Sequence, residues 1–312
     1  MHEMQNIRNR LLIVGGNGFI GRHTVAHALA LGWDVTSLGI SPRPQIGKSS
    51  TGVRYLTADI ADGSALKAAL GSTAFEYVVN CGGYINHSGF YSGGRRAIDA
   101  HFLGVLNLVE MLDRGVLRAF VNVGSSDEYG STSAPQSEAQ REQPISSYSS
   151  GKVAATHFLQ MLSRTENYPA TTLRLFLTYG PGQDQGRFLP QIIKGCVEGR
   201  TFAASKGEQL RDFCFVGDTV AAIFAALTNR AAAGEVINVA SGEPVSIREV
   251  IEKVRRLIGK GEPNFGQVAY RPGENMALYA NIGKAKAILG WEPAIPLEAG
   301  LGLTIKSLAG SV

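Results

Sequence analysis

The chain has 312 residues, of which 44% are apolar, 18% charged and 8% aromatic, values that exclude a disordered or fibrous protein. Its net charge of +4, from 30 basic and 26 acidic residues, comes without any Lys/Arg run and does not point to nucleic acid. Glycine is in excess, at 38 residues or about 12% against a background near 7%, without a collagen period; such an excess signals tight strand-to-helix turns or backbone pressed against a ligand.

Leu11–Val14 is an apolar run ending in glycines, as a buried parallel strand requires. Phe19–Leu31 has helical periodicity and Asp34–Leu38 reads as a second strand. Residues 41–52 are turn-formers and basic residues, hence a loop. Tyr77–Asn80 and Ala119–Val123 are further buried strands, with a helix over Arg95–Leu112 between them. Tyr148–Arg164 is an amphipathic helix and Thr172–Phe176 another strand. This alternation predicts an α/β fold with a doubly wound parallel sheet covered on both faces. Beyond about residue 177 the segments shorten and Gly and Pro interrupt them. A helix to Glu198, a core strand Glu235–Val239, a capping box Ser246–Glu249 opening a helix to Ile258 and a small helix Gly283–Leu289 predict a second, smaller, mostly C-terminal domain. The predicted boundaries are 1–176 plus about 213–240 for the first domain, and about 177–212 with 241–312 for the second. Three scattered cysteines, Cys81, Cys196 and Cys214, suit neither a disulfide framework nor a zinc site; no metal is expected, and they read as thiols of a reducing compartment. The polar start MHEMQNIRNR reads as neither signal peptide nor anchor, and no apolar stretch approaches the ~20 residues of a membrane helix. A soluble cytoplasmic protein is expected.

The segment LLIVGGNGFIG places Gly15, Gly16, Gly18 and Gly21 between the first strand and first helix. Glycine there allows a sharp turn, backbone approach to a pyrophosphate and close helix–strand packing, and the helix N-terminus attracts the anion. A dinucleotide is therefore expected at Gly15, Gly18, Phe19, Ile20 and Gly21. An NAD site wants a carboxylate at the end of the second strand. Here Gly39, Ile40 and Ser41 stand in that place, with Arg43 just beyond, which favours the 2′-phosphate of NADP(H) and leaves NAD(H) open. Asp59 and Ile60 follow the third strand, where the adenine edge lies in such folds.

Tyr148 and Lys152, in YSSGK, are four apart and share one helical face. An ammonium beside a phenol favours the phenolate, equipping Tyr148 to exchange a proton with a substrate oxygen. The preceding strand ends in VNVGSSDEYG, where Ser125 and Ser126 can orient the same oxygen.

With these motifs in order, the sequence resembles the extended short-chain dehydrogenases/reductases that act on nucleotide sugars as epimerases, dehydratases or 4-ketoreductases. VGGNGFIG, LTADI, VVNCGG, GSSDEYG, YSSGK, LRLFLTYGPG, GEQLRDFCFVGD, NVASGE and YRPGENMALYANIGKAKAILGWEP carry the resemblance over nearly the whole chain. It implies a Rossmann-type domain and a smaller nucleotide-sugar domain. It implies Ser125, Tyr148 and Lys152 as catalytic residues, with Lys152 also on the nicotinamide ribose, and Gly82 and Gly83 beside the cofactor. It implies Arg211 and Arg271 on the sugar-nucleotide diphosphate, and Phe188 and Phe202 bordering the base. Ser126, Asp127 and Arg187 complete the expected substrate set. A homodimer through the helices near 95–112 and 148–166 is the family habit.

The chain departs from the pattern at three places. Leu177 replaces the usual Asn after the sixth strand, His101 replaces the common Asn of the helix after the fourth, and Gly82-Gly83 replaces Ala-Ala. Asp127 and Glu128 lie in the neighbourhood where a dehydratase keeps its acid/base pair, while GSSDEYG also resembles the segment of 4-keto-6-deoxy-sugar reductases, and GEQLRDF and LYANIGKAKAILGW resemble deoxysugar synthases such as CDP-abequose synthase. The absent ribose clamp tilts the expectation to an NADPH-dependent 4-ketoreductase, with an NAD-dependent 4-epimerase, and then a 4,6-dehydratase, as alternatives.

Overall fold

The structure, a computed structural model, describes residues 9–41, 52–270 and 273–309. In chain order the elements are β1 (Arg10–Val14), α1 (Phe19–Ala30), β2 (Asp34–Gly39), β3 (Val53–Thr57), α2 (Gly63–Leu70), β4 (Tyr77–Asn80), α3 (Arg95–Ile98), α4 (Gly104–Met111), β5 (Ala119–Ser125), α5 (Ser147–Glu166) and β6 (Ala170–Leu175). There follow β7 (Leu177–Tyr179), α6 (Phe188–Val197), β8 (Thr201–Ala204), β9 (Leu210–Phe215), α7 (Val216–Thr228), β10 (Val236–Val239), β11 (Pro244–Ser246), α8 (Ile247–Ile258), β12 (Glu262–Phe265), β13 (Ala277–Leu278) and α9 (Leu297–Ala309). A π turn, Asp99–Leu103, joins α3 to α4, so the helix expected over Arg95–Leu112 is present but carries a local widening.

Seven strands form one sheet in the order β10-β6-β5-β4-β1-β2-β3, and β1 pairs in parallel with both β2 and β4. This is the expected doubly wound Rossmann-type α/β fold. The apolar run of β1 is explained by burial on both faces: Leu11, Leu12, Ile13 and Val14 all lie in the core. Strand order reverses at β1, because β2 and β3 extend one way and β4, β5 and β6 the other. Ligands of such sheets bind outside the carboxyl ends of the strands at this reversal. Val14, Leu38 and Asn80 share one register level, so the turns after β1, β2 and β4 begin side by side.

The chain divides into two compact units. The first comprises residues up to Gly124, Pro144–Leu173 and Ile223–Val236; its core gathers Leu12, Val14, Val78, Leu108, Phe120 and Leu159. The second comprises Ser125–Gln143, Arg174–Ala222 and the chain from Ile237 onward. Its core packs α6, α8 and α9 through Ile193, Val250, Val254 and Leu301. The expected capping box is present: Ser246 Oγ accepts the N–H of Glu249, and Glu249 reaches back to the N–H of Ser246. The second unit also holds strands that periodicity did not reveal. β9 is central, pairing with β7, β11 and β13, while β8 pairs with β12. Among the described residues no helix is long and apolar enough to cross a membrane.

Candidate functional site

The turn after β1 is built by backbone. Gly15 N–H donates to Leu38 O at 2.7 Å and Gly18 N–H to Gly15 O at 2.8 Å. Gly15 has φ 74° and its Cβ would lie 2.7 Å from Cys81 O, so only glycine serves there. A Cβ at Gly21 would come 2.7 Å from Gly16 Cα, which is what draws α1 against the strand. Gly18 caps α1 without a side-chain hydrogen bond, and the first turn, starting at Phe19 and Ile20, carries no acidic residue. Such an N-terminus suits an anion, so the residues present fit a dinucleotide pyrophosphate.

Around this turn the other expected cofactor residues take defined places within the first unit. Gly39 ends β2 with no carboxylate; instead Asn17 Nδ2 donates to Ser41 O at 3.2 Å across that end. Arg43 lies outside the described residues. Asp59 is exposed and its carboxylate accepts the N–H of Ala61 at 2.9 Å, while Ile60 is buried and its carbonyl accepts from Asn107 at 2.7 Å. Gly82 N–H donates to Asn80 Oδ1 at 3.0 Å, and a Cβ there would press on Val14 at 2.8 Å.

Tyr148 and Lys152 sit on the buried face of α5, which opens with a capping box between Ser146 and Ser149. Lys152 Nζ donates to Val123 O in β5 at 2.6 Å. Ser125 is the last residue of that strand. The Tyr148 ring meets His101 edge-on at 4.9 Å and His87 at 5.7 Å. His101 Nε2 lies 2.8 Å from Tyr84 O; a carbonyl only accepts, so Nε2 carries the hydrogen. Burial first, and the charge of Lys152 second, push the imidazole down to about 3. It is therefore neutral and no general base at neutral pH. A Cβ on Gly83 would lie 2.6 Å from His101 Nδ1. Two departures from the family pattern are thus one: the imidazole occupies the space that an alanine at 83 would fill.

In the second unit Ser125 Oγ accepts the N–H of Asp127 at 3.1 Å, and Glu128 Oε1 accepts the N–H of Ser125 at 2.9 Å. Ser126 is buried and its carbonyl accepts from Tyr129. Asp127 is half-buried, whereas Glu128 is fully buried and ion-paired to Arg174 at 2.9 Å. Arg211 is buried in β9, bonds to Leu210 O and to Glu274, and feels the charge of Asp127. Burial lowers its basicity and the two carboxylates oppose that shift. Arg187 is exposed at the start of α6. Phe188 and Phe202 pack on the core of this unit, Phe202 covering Gly195 at 2.8 Å from its Cβ position. Arg271 lies outside the described residues.

A family model described as "NAD dependent epimerase/dehydratase family" matches residues 11–240. The chain belongs to the NAD-dependent epimerase/dehydratase family. It is an enzyme of the extended short-chain dehydrogenase/reductase type. Similar proteins include a dTDP-glucose 4,6-dehydratase of Xanthomonas campestris pv. campestris, 26% identical over 323 residues that cover 94% of this chain and 91% of the relative. A UDP-glucose 4-epimerase of Mycolicibacterium smegmatis is 27% identical over 309 residues, 95% of this chain and 97% of the relative. The solved structure of Thermus thermophilus UDP-glucose 4-epimerase in complex with NAD superposes with a TM-score of 0.86 at 26% identity, covering 97% of this chain and all of that one.

For this epimerase/dehydratase-family chain, sequence reasoning missed the partners that hold the named residues. Glu274 as the counter-ion of Arg211 and His101 as the neighbour of Tyr148 are long-range contacts. One signal was available: Arg174 interrupts an otherwise apolar strand in LRLF, and a guanidinium in a buried strand demands a carboxylate.

Proposed function

We propose that the protein reduces the 4-keto group of a nucleotide-activated 6-deoxy sugar with NADPH. The observation that carries this reading is the end of β2. Gly39 and the Asn17–Ser41 bond stand where a carboxylate would hold the ribose hydroxyls of NAD. A net reduction draws on the reduced pool, and NADPH is the cofactor that such an end favours. When bound, the reduced nicotinamide supplies the hydride. The Gly15–Gly21 turn holds the pyrophosphate, and Lys152 holds the nicotinamide ribose while its charge stabilises the phenolate that Tyr148 becomes on giving up its proton. Tyr148 then delivers a proton to the oxygen at carbon 4, and Ser125 orients that oxygen by donating its hydroxyl hydrogen. Arg211, with Arg271, takes the sugar-nucleotide diphosphate, for which Glu274 must yield part of its bond to Arg211. Asp127 and Arg187 border the sugar nucleotide, and the working form is a homodimer.

The names of the relatives favour a second reading, an NAD-dependent 4-epimerase on the same Ser125–Tyr148–Lys152 machinery. The two readings part in one experiment. We expect the purified protein to oxidise NADPH stoichiometrically with dTDP-, CDP- or GDP-linked 4-keto-6-deoxyhexoses, and to release no bound NAD on denaturation. Stoichiometric NAD released from the protein, with interconversion of UDP-glucose and UDP-galactose and no net NADPH consumption, overturns the reductase in favour of the epimerase. In either case Tyr148→Phe should lower turnover by at least about a hundredfold and leave dinucleotide affinity unchanged.

A further inference from the structure

Behind Ser125 lies a cluster of buried charges. Arg174 projects from β6 with its side chain 1% exposed, and Glu128 beside it is 0% exposed. Arg174 Nε donates to Glu128 Oε2 at 2.9 Å, its Nη2 bonds to Glu142, and its guanidinium lies 4.6 Å over the Tyr129 ring. Burying such charges is costly unless each is paired and hydrogen-bonded. Apolar side chains of similar size would fill the same volume at less cost, so the cluster calls for an account beyond stability.

Its geometry gives one. Glu128 uses Oε2 on Arg174 and Oε1 on the backbone N–H of Ser125. Ser125 Oγ in turn accepts the N–H of Asp127. The backbone and one lone pair of the serine are both fixed, and its hydroxyl hydrogen meets no acceptor among the described residues. The loop therefore presents Ser125 as a donor. A carboxylate suits the link, because it accepts at both oxygens. A glutamine would face one of the two donors with its own N–H₂ group. An arginine suits the other end, because its fork reaches Glu128 and Glu142 together, which a lysine ammonium cannot do in the same geometry.

We infer that Arg174 and Glu128 are positioning residues for Ser125, holding its hydroxyl as the hydrogen-bond donor to the substrate oxygen. This rests on the reading of Ser125 given above. The test uses Glu128→Gln, Glu128→Asp and Arg174→Lys in the full-length enzyme, each also combined with Ser125→Ala. The assay is whichever of the two reactions above the wild type performs. Dinucleotide binding, followed by fluorescence, reports folding. The expected result is a kcat about ten- to a hundredfold lower, with KM and dinucleotide affinity unchanged, and no further loss when the changes are made in Ser125→Ala. An equal loss in the Ser125→Ala background, or a rise in KM with kcat intact, overturns the inference and leaves the reading of Ser125 standing. Wild-type turnover by Ser125→Ala alone overturns that reading, and the inference with it.

Discussion

Tyr148 is packed by two imidazoles, and one of them is chemically silent. His101 is buried, donates from Nε2 to Tyr84 O, and has its pKa pushed to about 3 by burial and by Lys152. In the unfolded chain a histidine titrates near its ordinary value of about 6.5. Between these two values the unfolded state binds the proton and the folded state does not, so stability falls as pH falls through that window, by at most about 1.4 kcal/mol per pH unit. We expect His101→Asn to flatten this loss. Urea midpoints of wild type and variant, compared from about pH 7 to about pH 4, should converge towards acid; a constant difference over the range would count against the neutral, buried imidazole. The Tyr148–Lys152 pair was legible in the sequence because both lie within one turn of helix. The imidazole beside them was not, because Gly83, Tyr84 and His101 meet only through the fold. Gly83 is the residue that betrays the contact, since an imidazole fills its Cβ position.

At the scale of elements, the β1–α1 turn is the part most rigidly dictated by sequence. Gly21 lets α1 lie against Gly16, and the backbone of Gly15 closes on Leu38 and Cys81. Gly21→Ala would force the helix off the strand and open the glycine turn. We expect it to abolish measurable NADPH binding in fluorescence titration while the far-UV circular dichroism keeps its helical content; retained affinity would remove the turn from the cofactor site. The parallel strands were legible because burial on both faces writes continuous apolar runs such as Leu11–Val14. The small sheets of the second unit were not. β7, β11 and β13 are two or three residues long, and they pair with β9 from places as distant as Leu177, Val245 and Ala277. No periodicity develops in so few residues, and the pairing is fixed by tertiary contacts such as the Asp212 carboxylate, which accepts from Ser241, Gly242 and Ala280. The π turn at Asp99–Leu103 was invisible for a related reason: it is five residues long, too short for its change of register to stand out in the helical pattern around it.

For the whole molecule, the division into two units separates the candidate residues for the two proposed ligands into different stretches of chain. The dinucleotide candidates Gly15, Gly18, Gly21, Asp59, Gly82 and Lys152 all belong to the first unit, and the diphosphate candidate Arg211 with Glu274 belongs to the second. Each unit has its own apolar core, so each has local opening events of its own. A ligand that binds the native state suppresses the openings of the segments it contacts in proportion to its occupancy. Hydrogen exchange followed by mass spectrometry should therefore separate the two. NADPH alone is expected to slow exchange in residues 14–24 and 80–83, with little change near 205–215. UDP alone is expected to slow 205–215, where Arg211 exchanges Glu274 for the diphosphate, with little change in 14–24. Raising the salt concentration should weaken the UDP effect only modestly, because Arg211 is buried and buried charges are screened little. Protection by UDP confined to 14–24 would place the diphosphate on the glycine turn and remove Arg211 from the substrate site.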